Sequence, residues 1–548
     1  MDGRHYRRAR VVYPALIVLA AAGLVAAVSY ASGKSPLERT GPVAVGKASA
    51  GKPVLVRDMK TGKDKLGSQI AATPDPIQDY VQPDTQIEPS VAVNPANPKN
   101  VVVAYQEGRI ADGGDATNGF ATTFDGGQTW TYGELPGLTT YPGQGGLMER
   151  ASDAVVAFGP NNIVYANSLV FDFSSDNGLR SGIAVNVSKN GGKTWGPPVY
   201  LQDDMGGGLN DKNWITVDTG KGPGHHFGRV YVVWDRVAPV LVDYCDHDCD
   251  RLSNWLPDFQ TVPNLVFPGQ GIGAYPVVQK DGGLGIVMDA ISGGVPVPSG
   301  PDELEVSPGT DEIVYLTAPA AGTTPWPAPL VFSPPIDISF NGSVGTPAQR
   351  ASDGLPAAAI DPKTGTIYAV WDDGRYRTDG VNDAVISRSF DNGLHWTMPQ
   401  RLNPGPTTNK LNHFNVVVAV GQGSTVHVAY RQRDQSAKGP LYTNVIDTYY
   451  QESFDGGASF TSPLKVNSTP SRPWYGAFSR NGTFEGDYNQ IASAGGLTYI
   501  TRCQGQKASQ SEPAPLVKNP DGSNTLVLTQ AGKGHQHQSN WVAVVQNA

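Results

Sequence analysis

Two side chains late in the chain have the types needed for nucleophilic catalysis. Tyr488 follows Glu485 by three residues in Phe484-Glu485-Gly486-Asp487-Tyr488, and a phenol beside a carboxylate base can act as an activated nucleophile. Asp112, in the glycine-rich run Asp112-Gly113-Gly114-Asp115, is a carboxylate able to serve as general acid or base. Arg109, Arg236, Arg375, Arg431 and Arg502 each stand at or just beyond the end of a strand-like run. Were they to converge, they would make a positive focus suited to a carboxylate or sulfate. Each residue also has a plainer reading. Tyr488 can pack at the start of a strand, Asp112 can sit in a solvated turn, and arginines beside aspartates can form ion pairs between neighbouring elements.

The elements that would position these groups are marked by one repeated segment, Ser/Thr-x-Asp/Asn-x-Gly-x-x-Trp/Phe. It occurs at Thr123–Trp130, Ser188–Trp195, Ser389–Trp396 and Ser453–Phe460. The chemistry is that of a tight hairpin. Asp125, Asn190, Asp391 and Asp455 can accept bonds from turn amides, the glycines supply positive φ, and the closing aromatic anchors the turn by burial.

The first two segments start about 65 residues apart and the last two about 64, and the gap between the pairs is close to three such periods. Within each period an apolar run, a turn and a second run recur. Examples are Ser90–Asn94 with Val101–Tyr105, Asp153–Phe158 with Ile163–Ala166, and Phe414–Val420 with Val426–Tyr430. Counting both markers predicts an all-β propeller of about seven four-stranded blades, with six as the alternative. The last unit is expected to turn near Asn519-Pro520-Asp521-Gly522. In that arrangement the ends of the second strands and the approaches to the first strands share one face. The approaches carry Glu88, Asp153, Asp211-Lys212-Asn213, Arg350, His413 and Glu485 to Tyr488.

The chain has 548 residues with 65 Gly and 44 Pro, a composition that favours short strands over long helices. A net charge of -9 argues against a nucleic-acid partner. Arg4, Arg7, Arg8 and Arg10 precede an uncharged run from Val11 to about Ala31, which reads as a signal peptide or single membrane anchor. The division expected is therefore 1–31 signal or anchor, 32–83 flexible linker and 84–548 propeller, outside the cytoplasm, with membrane contact only through the N-terminal segment. Cys245 and Cys249 are expected to form a local disulfide. The alternative is a metal site using His247 and its acidic neighbours. No cofactor is expected, although the Asp-rich loops leave calcium open.

The repeated segments, together with Asp211–Asp218, Gly228–Trp234 and Phe484–Tyr488, resemble the bacterial sialidase superfamily with BNR (Asp-box) repeats, over roughly residues 85 to 548. The resemblance implies a propeller whose Asp-boxes are structural marks far from the central pocket. It further implies an exo-sialidase-like glycoside hydrolase acting on terminal sugars of a glycan or glycoconjugate, with a glycan- or protein-binding propeller as the alternative. In that family an arginine triad grips the sugar carboxylate, but the Arg-Ile-Pro segment usual near the first blade is absent here.

Overall fold

The computed structural model describes residues 51–61, 81–111, 113–172, 180–204, 209–236, 239–256, 265–292, 296–298, 304–306, 310–319, 332–344, 349–352, 354–436, 445–479, 482–506, 516–518, 524–526 and 537–548. All lie within the compact unit Arg39–Ala548. Asp112 and the N-terminal segment 1–31 fall outside the described residues. No helix among the described residues is long and apolar enough to cross a membrane.

The chain is all-β, and its strands pair in sequence order as antiparallel meanders. The first is Val81–Val93, Val101–Ile110, Asp115–Thr123 and Thr131–Glu134; the second is Arg150–Phe158, Val164–Asp172, Arg180–Ser188 and Val199–Asp204. The third is Asp211–Val217, Val230–Asp235 and Val240–Cys245, edged by Trp255–Leu256 and Leu265–Phe267. The fourth is Gln270–Val278, Leu284–Ser292, Thr310–Ala318 and Ile336–Phe340. The fifth begins at Ala357–Ile360, the sixth at Leu411–Val420, and each has four strands. All seven expected inner pairs are present.

The seventh meander departs from expectation. Its strands are Ile491–Ala494, Leu497–Gly505 and Gln538–Gln546, and its outer edge is Val54–Lys60 from the other end of the chain. Those seven residues lie inside the stretch read as linker 32–83, and the first meander already begins at Val81. The turn foreseen near Asn519 does not join the last two strands. Leu516–Lys518 and Asn524–Leu526 instead form a separate two-stranded hairpin, and residues 519–523 lie outside the described set. A single parallel bridge, Thr85 to Gln538, joins the last meander to the first.

Apolar side chains fill the spaces between successive sheets. Tyr165, Val185, Trp214, Val232, Met288 and Val314 belong to one continuous buried cluster spanning the second to fourth meanders. The repeated hairpin turns dock on the preceding sheet. At Gly393, φ is +87° and a Cβ would lie 2.1 Å from the Tyr315 ring, so only glycine fits.

A second regularity concerns the inner strands. Five of them break register, at Glu88, Asp153, Lys212, Gly273 and Asn415, and each of these residues has positive φ. The distance to the strand end is five residues every time: Glu88 to Val93, Asp153 to Phe158, Lys212 to Val217, Gly273 to Val278 and Asn415 to Val420. For Glu, Asp and Lys the left-handed region is strained, so surrounding contacts must hold them there. Bulges re-aim side chains, and here they assemble the centre described below.

The N-terminal strand also completes a buried ion pair. Arg502 Nη2 lies 2.5 Å from Asp58 Oδ1 with both side chains almost wholly buried. Replacing Asp58→Ala leaves that guanidinium uncompensated, and urea unfolding is expected to show a loss of about 3–5 kcal/mol. An unchanged midpoint would mean that the pairing of Val54–Lys60 contributes little.

Candidate functional site

Three of the bulged residues, Glu88, Asp153 and Lys212, meet in one buried network. Lys212 Nζ lies 3.3 Å from Asp487 Oδ2 and 3.9 Å from Glu88 Oε1. Arg350 grips the same Asp487 carboxylate with two bonds, Nε to Oδ1 at 3.2 Å and Nη2 to Oδ2 at 2.7 Å. The Asp487 amide donates to Glu88 Oε1 at 2.7 Å. Gln106 donates to Glu88 and, at 3.3 Å, to Asp153 Oδ1. Asp211 accepts from the Lys212 amide, and Asp235 stands opposite Asp211 in register.

Five carboxyls (Glu88, Asp153, Asp211, Asp235 and Asp487) thus share two cations, and the electrostatics divide accordingly. Burial opposes ionisation of Asp487, but Arg350 and Lys212 outweigh it and hold that carboxyl well below the usual range. Burial pushes Glu88 up to about 7 despite Lys212. It also raises Asp153, Asp211 and, most strongly, Asp235, each again against the pull of Lys212. Lys212 resists the cost of burial because four of these carboxyls surround it, which raises its own pKa.

A partly open cleft adjoins the network, lined by Lys212, Asn213, Trp214, Tyr275, Asn415, Asp487, Tyr488 and Asn489 among others. Trp214 contacts Tyr275 and, edge-on, Tyr488, with ring centroids at 4.5 and 5.3 Å. Asn213 spends its amide hydrogens on the Asp153 carbonyl and Asn167 Oδ1, and Asn415 donates to the Gly486 carbonyl. The side-chain carbonyls of Asn213, Asn415 and Asn489 remain without partners although buried. The cavity measures about 40 Å³, room for about three or four waters when one needs about 10–15 Å³.

The arginines singled out in the sequence do not converge as free cations. Arg109 pairs with Asp115 at 3.3 Å and lies over the Phe484 ring. Arg375 pairs with Asp373 and donates to Ser339 Oγ and the Phe340 carbonyl. Arg431 pairs with Glu485 and donates to the Cys503 carbonyl, while Arg502 holds Asp58 and Gln504. Arg236 is half-buried, and its amide donates to the Pro239 carbonyl.

Tyr488 and Glu485 are not brought together. Arg431 and Ser471 take both Glu485 oxygens. Tyr488 instead packs on Trp214 and carries Lys212 Nζ 4.9 Å from its ring centroid, and burial raises its hydroxyl pKa well above the usual tyrosine value.

The repeated turns have the anticipated local bonds. Asp125, Asn190, Asp391 and Asp455 accept the amides of Thr129, Thr194, His395 and Ser459 at 2.9–3.0 Å. Cys245 and Cys249 form a disulfide, so those thiolates are not metal ligands. Among the described residues no group of three or more His, Cys, Asp or Glu is arranged to hold a metal ion.

Sequence reading missed Asn415, Asn489 and Gln106, and saw Glu88, Asp153, Lys212, Arg350 and Asp487 only as neighbours on a shared face. The signal available was positional: several stand at matching distances from an inner-strand turn.

No family model matches the chain, and neither does any curated protein. Among solved structures, a protein of unknown function from Dyadobacter fermentans DSM 18053 is similar at 11% identity and a TM-score of 0.41, over 90% of this chain and 99% of that one. The intramolecular trans-sialidase of Ruminococcus gnavus is similar at 11% identity and 0.39, over 63% and 90%. The α-L-arabinanase of Penicillium chrysogenum is similar at 13% and 0.36, over 65% and 92%. None of these likenesses assigns a residue or an activity to this chain.

The opposed carboxyls predict a stability optimum in mild acid. Glu88 has its pKa raised in the fold, so its contribution is complete below about 4.5 and is lost as pH rises through about 7. Asp487 has the reverse sign, and its contribution is lost only in strong acid. Denaturant unfolding at pH 5, 6, 7 and 8 is expected to show falling stability, with a shallower fall in Glu88→Gln. Equal slopes for the two proteins would contradict the assignment.

Proposed function

We propose that the chain is a seven-bladed, sialidase-like propeller whose central cleft binds carbohydrate without an arginine clamp. The seven inner pairs and the pairing of Val54–Lys60 with Gln538–Gln546 support seven blades closed by both ends of the chain. The observation that carries the binding reading is the cleft lining. Three buried carbonyl acceptors lack partners beside the rings of Trp214, Tyr275 and Tyr488. Sugar hydroxyls satisfy such acceptors, and the apolar face of a sugar ring packs on aromatic side chains. A cavity of this size admits the hydroxyl-bearing edge of a sugar, with the ring resting at the mouth.

A second reading, glycoside hydrolysis, is favoured by Glu88 and Asp487. One neighbouring carboxyl is pushed up to about 7 while the other is held ionised, the division of roles that acid and nucleophile or base require. A location outside the cytoplasm is supported by the disulfide together with the basic, then apolar, N-terminal sequence.

The test applies the full chain to a glycan array and to fluorogenic glycosides. Binding weakened at least tenfold in Asn489→Ala, with its unfolding midpoint retained, is the expected result. Turnover abolished by Glu88→Gln would promote the hydrolase reading, and neither binding nor turnover would overturn both.

A further inference from the structure

The polar atoms that the cleft offers to a ligand are mostly acceptors. The side-chain carbonyls of Asn213, Asn415 and Asn489 lack partners, and these residues are 1%, 3% and 4% exposed. Donors on the same wall are committed within the protein. Asn213 gives Nδ2 to the Asp153 carbonyl at 3.0 Å and to Asn167 Oδ1 at 2.7 Å. Ser352 donates its hydroxyl hydrogen to Asp372, and Asn415 gives Nδ2 to the Gly486 carbonyl. The Tyr488 hydroxyl, also without a partner, can donate once. Among the described residues of the lining, Lys212 is the one cation, and Asp487 at 3.3 Å and Glu88 at 3.9 Å hold it.

The charge behind this wall acts in the same direction. Five carboxyls share Lys212 and Arg350, and Arg350 closes on Asp487 as well. Burial already opposes ionisation of Glu88, Asp153, Asp211 and Asp235, so a further anion beside them meets the same desolvation and added repulsion. Part of the wall is hydrocarbon. At Gly273 a Cβ would stand 2.8 Å from Leu355 Cδ2 and 3.6 Å from Pro356 Cδ, so the glycine lets both line the cleft. An ionised carboxylate only accepts hydrogen bonds. In this cleft it would face three carbonyl lone pairs, apolar side chains and a cation already in use. A sugar hydroxyl carries no charge and donates to those carbonyls.

We propose that the cleft selects neutral sugars and rejects acidic ones, so that its ligand is an uncharged sugar and not a sialate or a uronate. The inference deepens the carbohydrate-binding reading and rests on it. It also reverses the preference that converging arginines would have given, because the candidate arginines Arg109, Arg375, Arg431 and Arg502 are each paired with a carboxylate. Replacing a sugar's CH2OH by COO⁻ at the same carbon removes a donor and adds a charge. A buried carbonyl then loses its partner, and the expected discrimination is at least about tenfold.

The test measures binding of the full chain at pH 7 to the methyl glycosides of glucose, galactose and mannose, each beside its uronate and its uronamide, and to a methyl sialoside. The uronamide keeps the shape of the uronate without its charge. At least one neutral glycoside is expected to bind, its uronate at least about tenfold more weakly, and its uronamide with the neutral affinity recovered. Asn489→Ala is expected to weaken the neutral glycoside with its unfolding midpoint retained, which assigns the binding to the cleft. A uronate or the sialoside binding as tightly as the neutral glycosides would overturn the selectivity and leave carbohydrate binding standing. A uronamide as weak as its uronate would trace the discrimination to shape and overturn the selectivity likewise. Neutral binding unchanged in Asn489→Ala, or no binding of any of these sugars, would overturn the cleft reading and this inference together.

Discussion

The structure depends on how one buried ammonium is compensated. Lys212, from the third meander, contacts Asp487 of the segment leading into the seventh and Glu88 of the first. Arg350, from the segment before the fifth, closes on the same Asp487. Four distant parts of the chain therefore meet at charges that are unfavourable when buried alone and tolerable only when paired. The backbone is shaped to suit this. Glu88, Asp153 and Lys212 accept left-handed conformations that point their side chains inward, a strain the network must offset.

The same principle explains the arginines. Arg109, Arg375, Arg431 and Arg502 are each buried against a carboxylate, and in two cases the partner comes from a remote part of the chain: Glu485 for Arg431 and Asp58 for Arg502. These guanidiniums join elements of the fold rather than waiting for a substrate anion. Among the side chains lining the cleft, the unsatisfied atoms are the carbonyl oxygens of Asn213, Asn415 and Asn489 and the hydroxyl of Tyr488. Such a lining favours hydrogen-bond donors, the chemistry on which the proposed sugar binding rests.

Much of the fold was legible in the sequence because its marks are local. A Ser or Thr, an Asp or Asn and a glycine at fixed spacing bond to one another within a single turn, so each Asp-box is readable without its surroundings. Val54–Lys60 was not legible. It is one strand in a polar stretch, and its partner lies almost five hundred residues away. The centre was half legible. Its charged residues stood out by type, but the bulges that gather them use Glu, Asp and Lys at positive φ, where sequence reading looks for Gly or Asn. Nor could spacing reveal that Arg431 and Ser471 would take Glu485 away from Tyr488.

The most direct test of this account is a double-mutant cycle joining Lys212→Met and Asp487→Asn, read by denaturant unfolding at pH 7. Because the two side chains meet within one buried network, the account predicts a coupling of about 2–3 kcal/mol. Additive losses, with coupling below about 0.5 kcal/mol, would contradict it and would mean that the inner strands are held by their apolar interfaces alone.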